Sequence, residues 1–561
     1  MDIFESLSKY TIPELVQKTV ELHISNPCMG FYYEEPISYG ELIRRIIVVS
    51  HTLKENGVKK GSKVAIIGEN SPNWVIAYLS TVFLGGIAVP ILPDFHSKDI
   101  NNILRHSESE VLFATHFNLQ RLLGYDLGGV KYVISLDDFT PEENPIEIKG
   151  LSSLIQKAKD IVYSVGQKMG LISEEVGPED VAAIIYTSGT SGNSKGVMLT
   201  HKNIVSNVFQ VSKLFDLTEK DRCLSILPLA HSYEFTLGLM YVLSAGACVY
   251  YLGKKPTPST IEEAAKKAKP TVIAAVPLFL EKVYKAKVKK LIDENKTVRM
   301  LTRVPVFKKV VYSRVRKALL DFFGGYLRCI TLGGAPLTYE VEVFLKQIKF
   351  PYALGYGLTE ASPLVSGSLS SETKLSSSGK VAPLIEVKIV NPDPASGVGE
   401  IWLKGPNIMK GYYKNENLTK EVLTEDGWLK TGDLGFLDSD GYIYIKGRTK
   451  NMILTATGEN IYPENIEEKL DMHPWVEESV VFEKNGRIVA KVYLNYESLE
   501  GKLEGHSETE REQVILSILN QIRDDVNQEL PRYSRIYELY EYPQPFEKTP
   551  TNKIKRFLYI T

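Results

Sequence analysis

Short apolar runs and amphipathic segments alternate along most of this 561-residue chain. The apolar runs "KVAIIGEN", "VAAIIYTSG", "TVIAAVP" and "LRCITLGGAP" each end in Gly, Pro or Asn, and segments such as "PSTIEEAAKKAK" and "TYEVEVFLKQI" have the spacing of helices. Continuous apolar strands separated by helices are typical of parallel sheets covered by helices. The pattern therefore predicts an α/β fold whose large N-terminal domain contains helix-covered, mainly parallel sheets.

The pattern changes near Ser378, where "GEIWLKGP" and "GWLKTGDLGFLDSDGYIYIKGR" indicate antiparallel strands with a hairpin turn at "DSDG". After Arg448 the chain predicts a compact α+β unit, with helices beginning at "YPENIEEKL" and "ETEREQVILSILNQIRDDV" and strands at "RIVAKVYLNY" and "SRIYELY". A tail of this length is sufficient for a small domain. We therefore predict an N-terminal domain over residues 1–449, with an antiparallel β subdomain, and a small mobile C-terminal domain over 450–561.

Composition and charge exclude several classes of protein. A net charge of −2 gives no general attraction to nucleic acid, and the four cysteines contain no C-x-x-C pair. The uncharged run Val75 to Leu92 has the length of a membrane span, but Gly85, Gly86 and Pro90 divide it into a helix and a strand. Because the N-terminus has no secretory signal either, we expect a soluble, cytoplasmic protein.

The segment "YTSGTSGNSKG" (186–196) follows an apolar strand and contains three glycines, five Ser or Thr residues and a lysine. Glycine allows close approach of the backbone, and N–H groups, hydroxyls and an ammonium suit phosphate oxygens. The Walker A pattern fails, because Gly196 follows Lys195 where Ser or Thr is needed. Alone, the segment is compatible with a phosphate-binding loop or with a flexible surface loop.

Seven motifs in series resemble those of the adenylate-forming superfamily, which includes acyl-CoA synthetases, luciferases and the adenylation domains of peptide synthetases. They are the loop above, "LPLAHSYEFT" (227–236), "LGGAPL" (332–337), "GYGLTE" (355–360), "KTGDLG" (430–435), "IKGRTKNMI" (445–453) and "EKTPTNKIKR" (547–556). The resemblance covers roughly residues 35–556. It implies activation of a carboxylic acid by ATP, with release of pyrophosphate, followed by transfer of the acyl group from AMP to a thiol.

The resemblance implies a role for individual residues in holding ATP. The predicted cradle of the β- and γ-phosphates consists of Thr187, Ser188, Gly189, Thr190, Gly192 and Lys195. In "GYGLTE", Tyr356 resembles the aromatic residue that stacks on adenine and Thr359 a donor to phosphate. Glu360 resembles the carboxylate that binds Mg²⁺, a cation that prefers oxygen ligands.

Two further motifs resemble the parts of the family's site that surround adenosine. Gly333, Gly334 and Ala335 would form the wall beside adenine, where side chains must be small. Asp433 matches the acid that accepts hydrogen bonds from both ribose hydroxyls, and Arg448 matches a second ribose contact. A structural ion pair between Asp433 and Arg448 is the alternative interpretation.

The remaining residues concern catalysis and domain movement. His231 resembles a gate beside the path of the carboxylate and the thiol. Lys553 aligns with the lysine that bridges the attacking carboxylate and the α-phosphate, although Asn552 stands where the family usually has Gly. Lys450 aligns with the hinge about which the C-terminal domain rotates between two poses, and Asn451 occupies the position of a usual Asp.

The stretches "LPLAHSYEFT" and "VPLFLEKVY" are similar to those of long-chain fatty acyl-CoA synthetases, except that Phe235 and Leu278 replace typical arginines. We expect a fatty acid, ATP, Mg²⁺ and CoA as ligands. Two alternatives stay open: transfer to an acyl carrier protein or use of another acid, and a catalytically silent nucleotide-binding relative. The oligomeric state is open as well, with a homodimer among the candidates.

The segment 282–317 contains 13 Lys or Arg residues and two acids, interleaved with apolar side chains. One interpretation is a surface that makes peripheral contact with an anionic bilayer at the inner membrane face, where fatty acids partition. The other is an ordinary solvated helix face.

Overall fold

A computed structural model of the protein describes residues 3–139, 176–188, 194–289, 305–454, 460–549 and 553–560. The predicted architecture is confirmed: two large, mainly parallel sheets are covered by helices and followed by an antiparallel sheet and a small α+β unit. None of the helices within these residues is long and apolar enough to cross a bilayer.

The first large sheet has nine strands in the order β15-β14-β13-β12-β11-β9-β10-β1-β2. The pairs from β13 to β1 are parallel, whereas β2, β14 and β15 add antiparallel edges. Its strands are β1 (Pro27–Phe31), β2 (Ile37–Ser38), β9 (Arg222–Ser225), β10 (Cys248–Tyr251), β11 (Val272–Ala275), β12 (Cys329–Leu332), β13 (Tyr352–Gly357), β14 (Leu364–Leu369) and β15 (Lys380–Val381).

The second large sheet has seven strands in the order β18-β8-β7-β4-β3-β5-β6. Its core is parallel, but β8 pairs antiparallel with both β7 and β18. Its strands are β3 (Lys63–Ile67), β4 (Ile87–Ile91), β5 (Val111–Ala114), β6 (Tyr132–Ser135), β7 (Val181–Ser188), β8 (Ser194–Thr200) and β18 (Gly411–Tyr412).

Helices cover both sheets. They are α1 (Ile12–His23), α2 (Tyr39–Glu55), α3 (Pro72–Phe83), α4 (Ser97–Ser107), α5 (His116–Arg121), α6 (His201–Ser212), α7 (Tyr241–Ser244), α8 (Pro258–Ala268), α9 (Pro277–Val283), α10 (Pro305–Phe322), α11 (Tyr339–Gln347) and α12 (Glu416–Val422). A π-helix, Glu234–Met240, precedes α7, and another, Tyr284–Lys289, follows α9.

The uncharged run Val75 to Leu92 forms the predicted buried helix and strand. Ser71 caps α3 by accepting a hydrogen bond of 3.2 Å from the Trp74 N–H, and Pro72 occupies the first helical position. Gly85, with φ of +73°, stands in the turn before β4. Side chains from both the helix and the strand are buried, so the run is part of the hydrophobic core.

The antiparallel sheet predicted after Ser378 has the order β16-β17-β19-β20, and its strands are β16 (Glu386–Val390), β17 (Gly399–Lys404), β19 (Leu429–Leu437) and β20 (Ile443–Arg448). The last part of the chain contains β21 (Ile453–Leu454), β22 (Asn460–Ile461), α13 (Pro463–Met472), β23 (Val476–Lys484), β24 (Arg487–Leu494), α14 (Tyr496–Leu503), α15 (Glu508–Glu529) and β25 (Glu538–Glu541).

The C-terminal elements have a hydrophobic core of their own, whose buried residues all lie between Ile453 and Leu539. This agrees with the division at residue 449, which stays a prediction. The four cysteines, Cys28, Cys223, Cys248 and Cys329, are buried and free.

Candidate active site

The wall predicted for adenine lies where two neighbouring parallel strands end. Gly333, Gly334 and Ala335 follow β12, and Tyr356 belongs to the adjacent strand β13. A methyl group added at Gly333 would lie 3.4 Å from the Tyr233 ring, and Gly334 has φ of +86°, a conformation that favours glycine. Larger side chains would therefore fill the space in front of this wall or strain its backbone.

Asp433 is the centre of a buried polar group beside that wall. Its Oδ1 lies 2.9 Å from Nε of Arg448, its partner residue across β19 and β20, and its Oδ2 accepts a 2.6 Å hydrogen bond from the Tyr356 hydroxyl. Only 4% of the Asp433 side chain is exposed, against 48% for Arg448. The ion pair named as the alternative interpretation is thus present, and both residues border the same cleft.

Glu360 connects the end of β13 to the second sheet. The Tyr412 hydroxyl donates a 2.8 Å hydrogen bond to Oε1 of Glu360, and the Lys195 ammonium lies 5.1 Å from the centre of the Tyr412 ring. Burial, followed by the charge of Glu360, raises the pKa of Tyr412. The structure therefore brings the predicted metal-binding carboxylate and the predicted phosphate-binding lysine to opposite sides of one tyrosine, which the sequence analysis had not singled out.

The predicted phosphate loop is described only at its two ends. Thr187 pairs with Lys195 across β7 and β8, and Ser188 is the last residue of β7. Gly189, Thr190 and Gly192 lie outside the described residues, so their part in the cradle stays a prediction.

Glu360 is suited to a Mg²⁺ ion that arrives with a nucleotide. Among the described residues, no group of three or more His, Cys, Asp or Glu side chains could hold a metal ion. Mg²⁺ is commonly bound through one or two carboxylates together with substrate phosphates. A single carboxylate oxygen donor beside a predicted phosphate site fits this mode.

His231 and Thr359 lie where the two halves of the cleft meet. Ser232, next to His231, has its hydroxyl 3.4 Å from that of Thr359, and the backbone N–H of Tyr233 donates to Nδ1 of His231 at 3.2 Å. Burial, and to a smaller degree the charge of Lys553, lowers the pKa of His231 to about 4. The imidazole is therefore neutral at neutral pH, which suits a gate better than a fixed cation.

Lys553 reaches this cleft from the far end of the chain. Its side chain is exposed to solvent. Desolvation by the surrounding protein atoms, followed by the charge of Arg448, lowers the pKa of Lys553, whereas the charges of Asp433 and Glu360 act in the opposite direction. The structure thus places the ammonium of Lys553 within the electrostatic influence of His231, Asp433 and Glu360.

The neighbouring basic residues have other partners. Lys555 forms an ion pair with Glu547, and Nη1 of Arg556 donates to Oε2 of Glu467 at 2.6 Å. The backbone of Lys553 is bonded twice to Thr549. These three cations therefore do not form a uniformly solvated tail.

The predicted hinge residue Lys450 lies in an exposed turn directly after β20. Next to it, the side-chain amide of Asn451 donates a 2.6 Å hydrogen bond to Oε1 of Glu464. A neutral amide thus makes the contact at the position where a charged Asp was expected from the family.

Glu234 is a buried acid whose environment the sequence analysis missed. It is fully buried in the first turn of the π-helix Glu234–Met240, where Oε1 accepts a 2.5 Å hydrogen bond from Ser225 and Oε2 has no protein partner. Burial raises its pKa to about 8. The available sequence signal was that Glu234 is the single acidic residue of the motif "LPLAHSYEFT".

Comparison with known proteins identifies the family. Residues 16–413 match the family described as AMP-binding enzyme. The chain is 30% identical over 577 residues to long chain acyl-CoA synthetase 3 of Arabidopsis thaliana, an alignment that covers 92% of this chain and 84% of the relative. It is 26% identical to a long-chain-fatty-acid–[acyl-carrier-protein] ligase of the same plant, over 86% of this chain and 76% of the relative.

Solved structures share the fold. ATP-bound MatB from Rhodopseudomonas palustris superimposes with a TM-score of 0.75 at 22% identity, over 98% of both chains. An anthranilate CoA ligase in complex with anthranoyl-AMP gives a TM-score of 0.76 at 21% identity, over 100% of this chain and 98% of the other. The family match over most of the chain identifies this protein: it belongs to the AMP-binding enzyme family, the adenylate-forming class that its motifs indicate.

Proposed function

We propose that this protein is an AMP-forming acid–thiol ligase that activates a medium- or long-chain fatty acid with ATP and then transfers the acyl group to CoA. The observation that carries the proposal is that the charges of Asp433, Arg448 and Glu360 all act on the pKa of the Lys553 ammonium, although more than 100 residues separate Lys553 from each of them in sequence. A nucleotide bound to the motif residues would have this ammonium beside it.

In the first step, a carboxylate oxygen of the acid attacks the α-phosphorus of ATP, and the bond to the bridging oxygen of pyrophosphate breaks. Both reactants are anions, so cationic groups that lie between them lower the barrier. The Lys553 ammonium supplies that charge at the α-phosphate, and Lys195 does so at the outer phosphates. Asp433 holds the ribose hydroxyls, and Glu360 would hold Mg²⁺, which neutralises phosphate charge when it is bound.

In the second step, the sulfur of CoA attacks the acyl carbonyl carbon, and the bond to AMP breaks. AMP is a far better leaving group than the oxide of a free carboxylate. The neutral imidazole of His231 leaves the path between the adenylate and the thiol free of an additional charge. Rotation of residues 450–561 about Lys450 is the movement that we expect between the two steps.

The choice of fatty acid rests on the similarity to long chain acyl-CoA synthetases and on the motif spellings. A second candidate, transfer to an acyl carrier protein, is supported by the similarity to a ligase with that acceptor. The anthranilate ligase shows that the same fold also accommodates an aromatic acid in a related protein.

The test is release of pyrophosphate over a panel of fatty and aromatic acids, with CoA, with acyl carrier protein or with neither. Turnover that requires a long-chain acid and CoA supports the proposal. Turnover only with acyl carrier protein, or only with an aromatic acid, favours the corresponding alternative. Absence of acid-dependent ATP–pyrophosphate exchange with every acid would leave a catalytically silent nucleotide-binding relative.

Peripheral membrane contact and a cytoplasmic location are part of the proposal. On α10, Phe307 and Val310 are 50% and 48% exposed beside basic side chains, of which the helix has five: Lys308, Lys309, Arg314, Arg316 and Lys317. Exposed apolar side chains among cations suit an anionic bilayer. Binding to phosphatidylserine vesicles that is lost in a Phe307→Ser, Val310→Ser variant would support this contact, and equal binding by both proteins would contradict it.

A further inference from the structure

Helix α13 contains four acidic residues, and each contacts a different part of the molecule. Glu464 accepts from Asn451 beside the predicted hinge, and Glu467 accepts from Arg556. Glu468 accepts a 3.0 Å hydrogen bond from the backbone N–H of Tyr339, and the main-chain oxygen of Asp471 accepts from Lys285. One helix thus connects the hinge, the segment that carries Lys553 and the N-terminal part of the chain.

The contact of Glu468 lies at the N-terminus of α11. Thr338, the residue before this helix, makes no side-chain capping bond, and its hydroxyl donates to Glu281. The first N–H groups of a helix lack intrahelical partners and carry partial positive charge, so a carboxylate there is favourable. Glu468 therefore supplies, from the far end of the chain, an acceptor that α11 does not have locally.

Helix α11 is continuous with the predicted adenine wall. Residues 333–335 follow β12, and the helix begins at Tyr339, four residues after Ala335. The helix terminus that Glu468 contacts is therefore only a few residues along the chain from the predicted adenine wall.

Two flanking contacts join the same surfaces. Nζ of Lys282 lies 3.3 Å from Oε1 of Glu477, with side chains 63% and 39% exposed, and Lys285 contacts Asp471. An ion pair this exposed contributes little by itself. The arrangement therefore depends on the helix-terminal contact of Glu468 more than on Lys282.

The same helix is rigidly connected to the segment of Lys553. Glu467 precedes Glu468, and it accepts hydrogen bonds from Arg556 at 2.6 Å and from the backbone N–H of Val481 at 2.6 Å. Arg556 also donates to the Val481 carbonyl at 2.7 Å. Because this network joins α13, β23 and the residues after Lys553, movement of α13 carries Lys553 with it.

We propose that Glu468 is a positioning residue for the formation of the acyl-adenylate. By binding the N-terminus of α11 it holds α13, and with it Lys553, in the pose in which the ammonium reaches the nucleotide. The inference rests on the proposed function and adds to it: Glu468 serves the first half-reaction and not the second, because any rotation that withdraws Lys553 also separates Glu468 from Tyr339.

The experiment compares Glu468→Ala and Glu468→Gln with Glu500→Ala, an exposed acid on α14 of the same unit. We expect ATP–pyrophosphate exchange to fall about tenfold in Glu468→Ala and less in Glu468→Gln, whose amide oxygen still accepts a hydrogen bond. Thioester formation from supplied acyl-adenylate should stay at the wild-type rate in all three. Wild-type exchange in Glu468→Ala, or equal slowing of both half-reactions, would overturn the proposal.

Hydrogen exchange at the Tyr339 amide gives a readout that does not depend on activity. Loss of the Glu468 carboxylate should accelerate this exchange in Glu468→Ala and leave it unchanged in Glu500→Ala. An unchanged rate in Glu468→Ala would refute the contact itself. If the wild-type protein shows no exchange of pyrophosphate with any acid, the proposed function fails, while the amide measurement still decides whether Glu468 holds α11. Glu468→Gln, which preserves size, serves both readouts if Glu468→Ala does not fold.

Discussion

The two sides of the cleft are held by different kinds of interaction. On one side, Tyr356 and Asp433 belong to strands of two sheets, and Glu360 lies in a 3-10 turn, Thr359–Ala361, shortly after β13. On the other side, Lys553 belongs to no helix or strand and is held through Thr549, Arg556 and the acids of α13. The predicted nucleotide side is fixed by backbone ladders. The lysine side meets the rest of the molecule through contacts that can separate, such as that of Glu468 with the Tyr339 N–H.

This difference explains how one site can serve two reactions. A nucleotide site that is built into sheets stays the same while AMP is first formed and later released. A cation that is needed only for the first reaction is better carried by a domain that can move away, because its charge would otherwise remain beside the adenylate during the second. The following experiments change one side at a time.

Replacement of Lys553 should give the largest effect. Lys553→Ala removes the cation between the carboxylate and the α-phosphate, and we expect ATP–pyrophosphate exchange to fall by about 100-fold or more. Thioester formation from supplied acyl-adenylate should be largely intact. Lys555→Ala, which removes a cation paired with Glu547, is the matched control. Equal loss of both steps in Lys553→Ala would contradict its assigned role.

A change on the sheet side should affect both half-reactions. Asp433→Asn replaces a carboxylate that can accept from two ribose hydroxyls with an amide, and we expect the KM for ATP and the Kd for AMP to rise by about tenfold, or 1.4 kcal/mol. Asp440→Asn, in the turn of the same hairpin, should bind both nucleotides as the wild type does. Weaker binding of ATP with unchanged binding of AMP would count against a ribose contact.

Salt should act on the lysine side alone. Because the contact of the Glu468 carboxylate with the N-terminus of α11 is electrostatic and exposed, an increase of ionic strength from about 0.05 to about 0.5 M should weaken it, and we expect adenylation at saturating ATP to slow by about threefold. The rate from supplied acyl-adenylate should change little. The two rates are measured in the same salt series, and a parallel decline of both would remove the contrast between the two sides.

Replacement of Glu234, on the sheet side, should have the smallest effect on activity. Its expected effect is on the pH dependence of the free energy of unfolding. The Glu234 pKa of about 8 in the folded protein lies above the usual 4.5, so between these values the folded state retains a proton that the unfolded chain has lost. The free energy of unfolding should therefore fall as pH rises through this window, by about 1 kcal/mol per pH unit from this group. Glu234→Gln should flatten this slope in urea titrations at pH 5 to 8. An unchanged slope would show that Glu234 is ionised in the fold.

Much of the fold could be predicted from local pattern. Continuous apolar runs such as those of β3, β7, β11 and β12 are buried on both faces, as is typical of strands inside helix-covered sheets. Gly85 and Gly86 showed where a long apolar run divides into a helix and a strand, whereas Pro90, predicted to be a second break, lies inside β4. The antiparallel position of β8 was not anticipated, because the five residues between β7 and β8 were interpreted as a phosphate loop and not as the connection of two antiparallel strands. The pairing of β8 with β18, more than 200 residues away, could not be predicted from local sequence at all.

The residues of the candidate site fall into the same two groups, those that local sequence indicates and those that only the fold brings together. Motif residues such as Tyr356, Glu360 and Asp433 were found because their neighbours in sequence identify them. Tyr412 and Glu468 were missed, since their importance comes from contacts with Lys195, Glu360 and Tyr339 that join distant segments. Glu234 was missed because its burial beneath Ser225, and not its identity, raises its pKa.

The burial of all four cysteines has a practical consequence. Thiols that are enclosed in the core react slowly with maleimide dyes, so single cysteines introduced on α8 and α15 could be labelled selectively in the otherwise natural chain. Fluorescence energy transfer between the two dyes would then report the movement of residues 450–561 in real time, one molecule at a time, as ATP and the acid are added.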